Sequence, residues 1–136
     1  LAMTRAFRTT LASRRGGAIV NMLSMAALVS LPVTGTYSAS KAAFLSLTRS
    51  MRAELMAQGT IVVGVLAVQT ETAIGLRLPE PRMKPEEVVA DALDAVQGGI
   101  NDEIAAGSLT RTAYQAFLAD PKAFQARMST RLPLPA

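Results

Sequence analysis

The sequence predicts an α/β fold in which helices cover a parallel sheet. Two apolar runs rich in β-branched residues, 18–23 and 61–68, are typical of strands that are buried on both faces. A helical pattern over residues 37–58 separates them, so strand, helix and strand form a βαβ unit with parallel strands. The 136 residues of the chain are enough to give such a unit a core of its own.

The first element is a helix over residues 2–12. Met3, Phe7 and Leu11 recur at helical spacing and predict one apolar face. Arginines and glycines follow at residues 14–17, where basic side chains and glycine commonly end a helix. This pattern predicts an amphipathic helix directly before the first strand.

The first strand, 18–23, is almost continuously apolar, so we expect it to lie at the centre of its sheet. Pro32 and Gly35 interrupt the residues after it, and the segment 24–36 is therefore predicted to be a loop. This loop would join the carboxyl end of the strand to the next helix.

The second helix, 37–58, carries two contrasting faces, and Gly59 is placed to end it. Bulky apolar residues form a predicted core-facing stripe, which consists of Phe44, Leu47, Met51 and Leu55. Small residues form a second face, which consists of Ala39, Ala42, Ala43, Ser46 and Ser50. Small side chains would let another backbone approach closely, so we expect this helix to have two packing partners.

After the second strand, the chain is predicted to be helical. One helix begins at Pro85 and ends at residues 98–99, where two glycines stand. Residues 108–118 and a short segment opened by Asp120 have helical patterns as well. Two parallel strands are too few for an ordinary α/β sheet. We therefore expect residues 1–136 to form a single truncated domain that lacks the first strands of a larger one.

The composition excludes several kinds of chemistry. The chain contains no His and no Cys, which removes thiol catalysis, Ser-His-Asp triads and zinc sites built on Cys or His. We expect no metal site. Hydroxyls, amines, carboxylates or a bound cofactor must therefore carry any reaction.

The charge and hydropathy patterns limit the partners. The net charge of +4 comes from scattered arginines, and the few aromatic residues are not interleaved with basic runs. A nucleic-acid binder, which the basic balance alone would suggest, is therefore not expected. No apolar run reaches the roughly 18 residues of a membrane span. The first residues do not resemble an export signal, so a cytoplasmic protein is expected.

A hydroxyl, a phenol and an ammonium form a set suited to moving a proton to or from a carbonyl oxygen. Ser24 follows the first strand, and Tyr37 and Lys41 lie four residues apart on one face of the second helix. Thr70 and Thr72 follow the second strand. The carboxyl ends of parallel strands meet at one sheet edge, where ligands bind, so all five are expected to share a crevice. None of them carries a hydride, so a redox reaction would need a borrowed cofactor.

Each of these residues also has an ordinary structural interpretation. A tyrosine four residues before a lysine is common, and Ser24 alone would be a loop cap. Thr70 and Thr72 alone would be turn residues. Their joint position at one predicted sheet edge favours the catalytic interpretation. Mostly apolar segments at 25–29 and 74–79 are expected to flank the crevice and favour a nonpolar substrate.

Five sequence blocks in order resemble the short-chain dehydrogenase/reductase family. They are GAIVN at 17–21, Ser24, YSASKAA at 37–43, LTRS at 47–50 and RAEL at 52–55. The resemblance implies a partial Rossmann-like fold, a doubly wound parallel sheet here without its N-terminal dinucleotide-binding strands. It also implies an oxidoreductase that interconverts an alcohol and a carbonyl with NAD or NADP.

The resemblance assigns roles to the residues of the predicted crevice. Ser24 would orient the substrate oxygen, Tyr37 would be the general acid/base, and Lys41 would stabilise the tyrosinate while binding the nicotinamide ribose. Thr72 matches a threonine that contacts the nicotinamide carboxamide in the family, and Thr70 lies beside it. Tyr37, Lys41, Thr70 and Thr72 are therefore the expected cofactor-binding residues.

The resemblance also implies partners. The helices at 2–12 and 37–58 resemble the pair through which family members commonly dimerise, so a homo-oligomer is expected. The other expected partner is a small-molecule alcohol or carbonyl substrate.

The sequence departs from the family pattern around the cofactor. Residues 1–136 contain no glycine-rich turn for the pyrophosphate, no Asn-Ala-Gly segment and no catalytic asparagine of the family type. Ala67 and Val68 stand where family members usually have Pro-Gly, which adds bulk beside the expected nicotinamide ring. Two hypotheses remain. The chain is the catalytic half of an oxidoreductase, or it is a non-enzymatic remnant or helix-mediated interaction module that binds no cofactor alone.

Overall fold

The computed structural model describes residues 2–14, 16–32, 34–73 and 75–130, apart from the side chain of Arg77. Parallel strands and helices alternate along these residues. Their order is α1 (Ala2–Ser13), β1 (Gly17–Met22), α2 (Gly35–Leu55), β2 (Thr60–Leu66), α3 (Pro85–Gln97), β3 (Glu103–Ala105), α4 (Ser108–Ala119) and α5 (Pro121–Ser129). The predicted α/β fold with a partial Rossmann-like parallel sheet is confirmed.

The predicted helices are confirmed, with changes at their ends. α2 begins at Gly35, inside the predicted loop 24–36, because the nearest helix breaker, Pro32, restricts the residues before it rather than those after it. At its other end α2 passes into a 3₁₀ turn, which stops at Gly59 with a φ of 76°. None of the helices in the described part of the chain is both long and apolar enough to cross a bilayer.

The sheet has β2 in the middle, in the order β1–β2–β3. β1 pairs with β2 in parallel along its whole length, with Met22 opposite Val65 at the carboxyl end. β2 pairs with β3 in parallel, with Leu66 opposite Ala105. The predicted βαβ unit of β1, α2 and β2 is therefore present, and the carboxyl ends of its strands lie at one edge of the sheet.

The sheet differs from the expectations in two respects. The first strand was expected to be central, but in the described part of the chain β1 pairs only with β2, and its Val20 and Met22 are 40% and 48% exposed. An apolar run shows that a strand is suited to burial, but the elements that would cover β1 are not among the described residues. β3 was not predicted at all, because it is only three residues long and begins with Glu103.

The core lies on both faces of β2, whose residues are buried except for the half-buried Ile61. The cluster on one face consists of Leu23, Met25, Val29, Leu45, Leu66, Phe124 and Met128. The cluster on the other face consists of Val63, Val65, Met83, Val88, Ala92, Ala95 and Ala106. The helices α2 and α5 thus cover one face of β2, while α3 covers the other.

α2 turns most of the predicted stripe to the core, since Met51 and Leu55 are buried and the half-buried Phe44 packs against the core. Its buried residues are Ser38, Leu45, Thr48, Met51 and Leu55. Leu47, which was predicted to face the core, is 41% exposed. Thr48 takes a core position because its hydroxyl donates to the Phe44 carbonyl over 2.8 Å and accepts the Asn21 amide over 3.0 Å, so no polar group is left unpaired. The predicted small-residue face is exposed along its whole length.

α1 covers little of the sheet. None of its residues is buried, and Met3 and Phe7 are 69% and 53% exposed. A groove of about 400 Å³ separates the apolar face of α1 from β1, with Leu11 in its lining. The predicted apolar face therefore exists, but the described residues leave most of it uncovered.

Candidate active site

Ser24 lies just beyond the carboxyl end of β1. The pairing between β1 and β2 continues past the ends of both strands, since the Met25 N–H donates to the Ala67 carbonyl over 3.0 Å. The extended backbone of Ser24 then leads into a 3₁₀ turn over Met25–Ala27. The Ser24 hydroxyl oxygen caps this turn by accepting the Ala26 N–H over 3.1 Å. The loop-cap interpretation is thus confirmed, and it leaves the hydroxyl hydrogen available for donation.

Lys41 is tied to the same end of β1. Its ammonium donates a hydrogen bond to the carbonyl oxygen of Met22 over 2.9 Å. The ammonium nitrogen also lies 5.8 Å from the centre of the Tyr37 ring, which stands one helical turn earlier on α2. Lys41 therefore joins the tyrosine to the strand end that leads directly into Ser24.

Tyr37 is in the first turn of α2 and is 48% exposed. The Ser40 hydroxyl donates to its carbonyl oxygen over 2.7 Å, which supports the helix locally. Its neighbour Ser38 is almost fully buried, and the Ser38 hydroxyl has no hydrogen-bond partner among the described residues. The phenol of Tyr37 is thus accessible to a small molecule, while the helix beneath it is packed.

Thr70 and Thr72 lie in the segment that follows β2. The Thr70 hydroxyl donates to the Val68 carbonyl over 3.1 Å, and Thr70 forms a parallel bridge with Met83. The Thr72 hydroxyl oxygen accepts the Gly75 N–H over 3.1 Å. Both threonines therefore act as turn residues, and within the described ranges no hydrogen bond links them to Ser24, Tyr37 or Lys41.

The two apolar segments predicted to flank the crevice differ in exposure. Met25, Ala26 and Val29 from the segment 25–29 are buried in the core, whereas Ala27 and Leu28 are half-buried, so the flanking role of this segment stays a prediction. Leu76 and Leu78 from the segment 74–79 are 61% and 45% exposed. Residue 74 itself lies outside the described residues.

Two residues on the C-terminal helices α4 and α5 support these loops, and they were not identified from the sequence. Gln125 on α5 accepts the Ser30 N–H and donates to the Ser30 carbonyl, both over 2.9 Å, so it holds the loop between Ser24 and α2. Thr110 on α4 accepts the N–H of Val68 over 3.2 Å. No spacing or motif signals either contact, because each joins segments at least 42 residues apart.

Carboxylates from α3 fix the start of α4. The Ser108 N–H donates to Glu87, and the Gly107 N–H donates to Asp91 over 2.6 Å. The backbone hydrogen bond from Ser108, followed by the bond from its hydroxyl, holds the pKa of Glu87 below its ordinary value. Arg111, one turn further along α4, pairs with Asp91. These bonds satisfy amides that a helix start leaves without intrahelical partners.

Two grooves of the described surface run along α1. One lies between α1 and β1, and the other lies between α1 and α2, where Arg5, Arg8 and Glu54 contribute to its lining. Neither groove is lined by Ser24, Tyr37 or Lys41. The candidate site is therefore separate from these two grooves.

Comparison with known proteins gives a consistent family assignment. The sequence profile described as "short chain dehydrogenase" matches residues 1–82. A short-chain dehydrogenase from Burkholderia cenocepacia, solved in complex with NADP, is 39% identical, with a TM-score of 0.85 over 95% of this chain and 54% of that chain. A second solved structure, a short chain dehydrogenase/reductase family protein, is 30% identical, with a TM-score of 0.65 over 76% of this chain and 49% of that one.

A curated relative from Xanthobacter autotrophicus is 45% identical over 75 residues, which is 54% of this chain and 32% of that protein. It is named "Inactive 2-(S)-hydroxypropyl-CoM dehydrogenase 2". This chain thus spans about a third of that relative's length and about half the length of the two solved structures. The profile match covers more than half of the chain, and the fold agrees with it. This chain therefore belongs to the short-chain dehydrogenase/reductase family of oxidoreductases.

Proposed function

We propose that this chain interconverts an alcohol and a carbonyl with NAD or NADP as its redox cofactor. Ser24 donates a hydrogen bond to the substrate oxygen. In the direction of reduction, the Tyr37 phenol gives its proton to that oxygen, and in oxidation the tyrosinate takes a proton back. The ammonium of Lys41 stabilises the tyrosinate. The cofactor, when bound, supplies or accepts the hydride.

The position of the Lys41 ammonium carries this proposal. It lies near the ring of Tyr37 and is bonded to Met22, two residues before Ser24. The hydrogen bond to the strand end limits where that cation can go. The chain has no His or Cys, so no stronger acid/base candidate of those types competes with the tyrosine.

The side chains at this edge fit the nicotinamide and ribose end of such a cofactor. Lys41 uses one N–H on Met22 and has two more for ribose hydroxyls. The Thr72 hydroxyl accepts from Gly75 and keeps its hydrogen for a carboxamide oxygen. Thr70 is the second proposed contact. The NADP held by the Burkholderia dehydrogenase supports NADP for this chain.

Val68 stands where family members usually have glycine, but the fold accommodates its larger side chain. Its side chain packs against both apolar clusters of the core. Such packing is the usual way in which a half-buried valine is stabilised. For the substrate, exposed Leu76 and Leu78 favour a molecule with a nonpolar body.

We also propose that the chain acts as the catalytic half of a larger domain and assembles as a homo-oligomer. The small-residue face of α2 is exposed, and so are Met3 and Phe7 on α1. Exposed apolar surface on neighbouring helices favours association. Sedimentation of the purified chain should reveal dimers or larger species. A monomer at every concentration would contradict this part of the proposal.

A second candidate function is a non-enzymatic remnant or interaction module. Its support is the Xanthobacter relative, which is named inactive although it is 45% identical over 75 residues. In that case α1 and α2 would serve association only, and Tyr37 and Lys41 would have no chemical task. The two candidates differ in whether the chain recognises the nicotinamide end of the cofactor.

Titration with oxidised nicotinamide mononucleotide separates the two candidates. This probe carries nicotinamide and ribose but lacks the pyrophosphate and adenosine, so its binding does not depend on a glycine-rich turn. The amide resonances of Tyr37, Lys41 and Thr72 should shift saturably in nuclear magnetic resonance spectra of the full chain. Lys41→Met should weaken this binding by roughly tenfold or more, because a charge-assisted hydrogen bond is lost.

Lys122→Met is the matched control, since Lys122 is an exposed lysine on α5. It should leave the binding of the probe unchanged. The absence of any saturable shift at the three residues in the unaltered chain would contradict the proposal and favour the non-enzymatic candidate. Equal weakening by both lysine variants would show that only net charge matters.

A further inference from the structure

Thr110 is a fully buried hydroxyl residue in the first turn of α4. Buried polar groups in proteins are almost always hydrogen-bonded, so the partners of this hydroxyl show what it holds. Its oxygen accepts the N–H of Val68 over 3.2 Å. Its hydrogen points to the sulfur of Met83 at 3.5 Å. Both partners belong to the segment that carries Thr70 and Thr72.

The N–H of Val68 needs this partner because the neighbouring strand has ended. Ala106 is the last residue to pair with β2, and its N–H donates to the Leu66 carbonyl over 3.0 Å. The backbone then turns away at Gly107, which has a φ of 84°. The hydroxyl of Thr110 thus stands in for the carbonyl of a continuing strand.

Met83 closes the other end of the same segment. Its carbonyl accepts the Glu71 N–H over 2.8 Å, and its N–H donates to the Gln69 carbonyl over 3.0 Å. Its side chain is 2% exposed and packs in the core. These hydrogen bonds bring the two ends of the loop from Thr70 to Met83 together. Val68, just before the loop, and Met83, at its end, both contact Thr110.

We propose that Thr110 is a positioning residue that fixes the segment carrying Thr70 and Thr72 at the carboxyl edge of the sheet. The role of that segment in cofactor binding rests on the proposed function, but the fixing itself does not. Thr110 acts through the N–H of Val68 and through Met83, and α4 holds it in place through the contacts of Glu87 with Ser108 and of Asp91 with Gly107.

Hydrogen exchange in the full chain tests this proposal. In the unaltered chain, the Val68 amide should be protected to a degree similar to the Ala106 amide, which is bonded to a strand. Thr110→Val keeps the shape and removes the acceptor, so exchange at Val68 should accelerate by roughly tenfold or more relative to Ala106. Thr110→Ser restores the hydroxyl and should restore the protection.

Thr112→Val is the matched control, because Thr112 is an exposed threonine on the same helix and its hydroxyl only donates to the Ser108 carbonyl. It should leave exchange at Val68 unchanged. An unprotected Val68 amide in the unaltered chain would overturn the proposal without any variant. Equal acceleration at Val68 and Ala106 in Thr110→Val would also overturn it, because it would mean general destabilisation.

A second readout separates this proposal from the proposed function. In Thr110→Val, the shifts that nicotinamide mononucleotide induces at Thr70 and Thr72 should weaken more than those at Tyr37. If the unaltered chain does not bind the probe but Val68 loses protection selectively, the proposed function fails and the positioning role of Thr110 stands. If the probe binds but exchange at Val68 does not respond to Thr110→Val, the positioning role of Thr110 fails and the proposed function stands.

Discussion

Glu103 accepts a hydrogen bond from Arg52 over 2.6 Å, and their side chains are only 10% and 15% exposed. The pair joins α2, which carries Tyr37 and Lys41, to the first residue of β3. Arg52 also donates to the Val62 carbonyl over 3.0 Å, and Arg49 donates to the second oxygen of Glu103. The helix of the candidate site is therefore fixed to the sheet by a largely buried ion pair.

Replacing Glu103 by Gln should lower the free energy of unfolding by about 3 kcal/mol, because the Arg52 guanidinium is left largely buried without its closest carboxylate. Glu54→Gln, at an exposed position of α2, should change it by less than about 0.5 kcal/mol. Arg52→Met should cost more than Arg49→Met, since the Arg49 side chain is 57% exposed. Urea denaturation measures all four variants. Equal losses of stability in the two arginine variants would show that burial does not decide how much each arginine's ion pair with Glu103 contributes.

Gly107 is expected to resist substitution for two separable reasons. Its φ of 84° disfavours a side chain, and a Cβ there would lie 2.2 Å from the Met83 sulfur. Gly107→Ala should therefore destabilise the chain by about 3 kcal/mol. Gly99 also has a positive φ but has nothing within 4 Å of an added Cβ, so Gly99→Ala should cost only about 1 kcal/mol. Thermal unfolding of both variants measures the difference, and equal costs would mean that the contact with Met83 is relieved without strain.

Glu87 should make the stability of the chain depend on pH. The backbone and hydroxyl groups of Ser108 hold its folded-state pKa below the ordinary 4.5, so the contribution is present above about pH 4.5. It should be lost as the pH falls below 4.5 through the lowered value. Glu87→Gln should therefore be less stable than the unaltered chain at pH 7, and the gap should close in acid. Glu86→Gln, at the exposed neighbour, is the control, and a gap that stays constant with pH would contradict the account.

Gln125 should control the mobility of the loop between Ser24 and α2. Its side chain pairs with both backbone groups of Ser30. Gln125→Ala should raise the rate of limited proteolysis within residues 24–32, because the loop loses its bond to α5. Gln115→Ala, at an exposed position on α4, should not change it. An unchanged cleavage pattern in Gln125→Ala would mean that the buried residues of the loop hold it without this contact.

The sequence was sufficient to predict the βαβ unit and the positions of Ser24, Tyr37 and Lys41 on its elements. Those predictions depend on local patterns: the β-branched runs of β1 and β2, the helical spacing of α2, and the turn residues around Ser24. The predicted position of each strand in the sheet was less accurate. β1 was expected to be central because its apolar run resembles that of β2, yet only β2 has strands on both sides in the described part of the chain.

Long-range polar contacts could not be predicted. Thr48 is buried in place of Leu47 because Asn21, 27 residues away, pairs with its hydroxyl. Thr110 and Gln125 support the candidate site from α4 and α5, and a threonine or a glutamine on a helix has no pattern that reveals such a partner. β3 escaped notice because Glu103, a charged residue, is paired with Arg52 rather than exposed.

The activity of Tyr37 is tested most directly in a chimera in which this chain replaces the matching part of the Burkholderia dehydrogenase. NADPH consumption with a panel of aliphatic and aromatic ketones and aldehydes gives the rate. The chain has two tyrosines, so Tyr114→Phe is the matched control for Tyr37→Phe. Tyr37→Phe should lower the rate by about 100-fold or more, while Tyr114→Phe should leave it essentially unchanged. A Tyr37→Phe chimera as fast as the unaltered one would contradict the proton-transfer role of Tyr37.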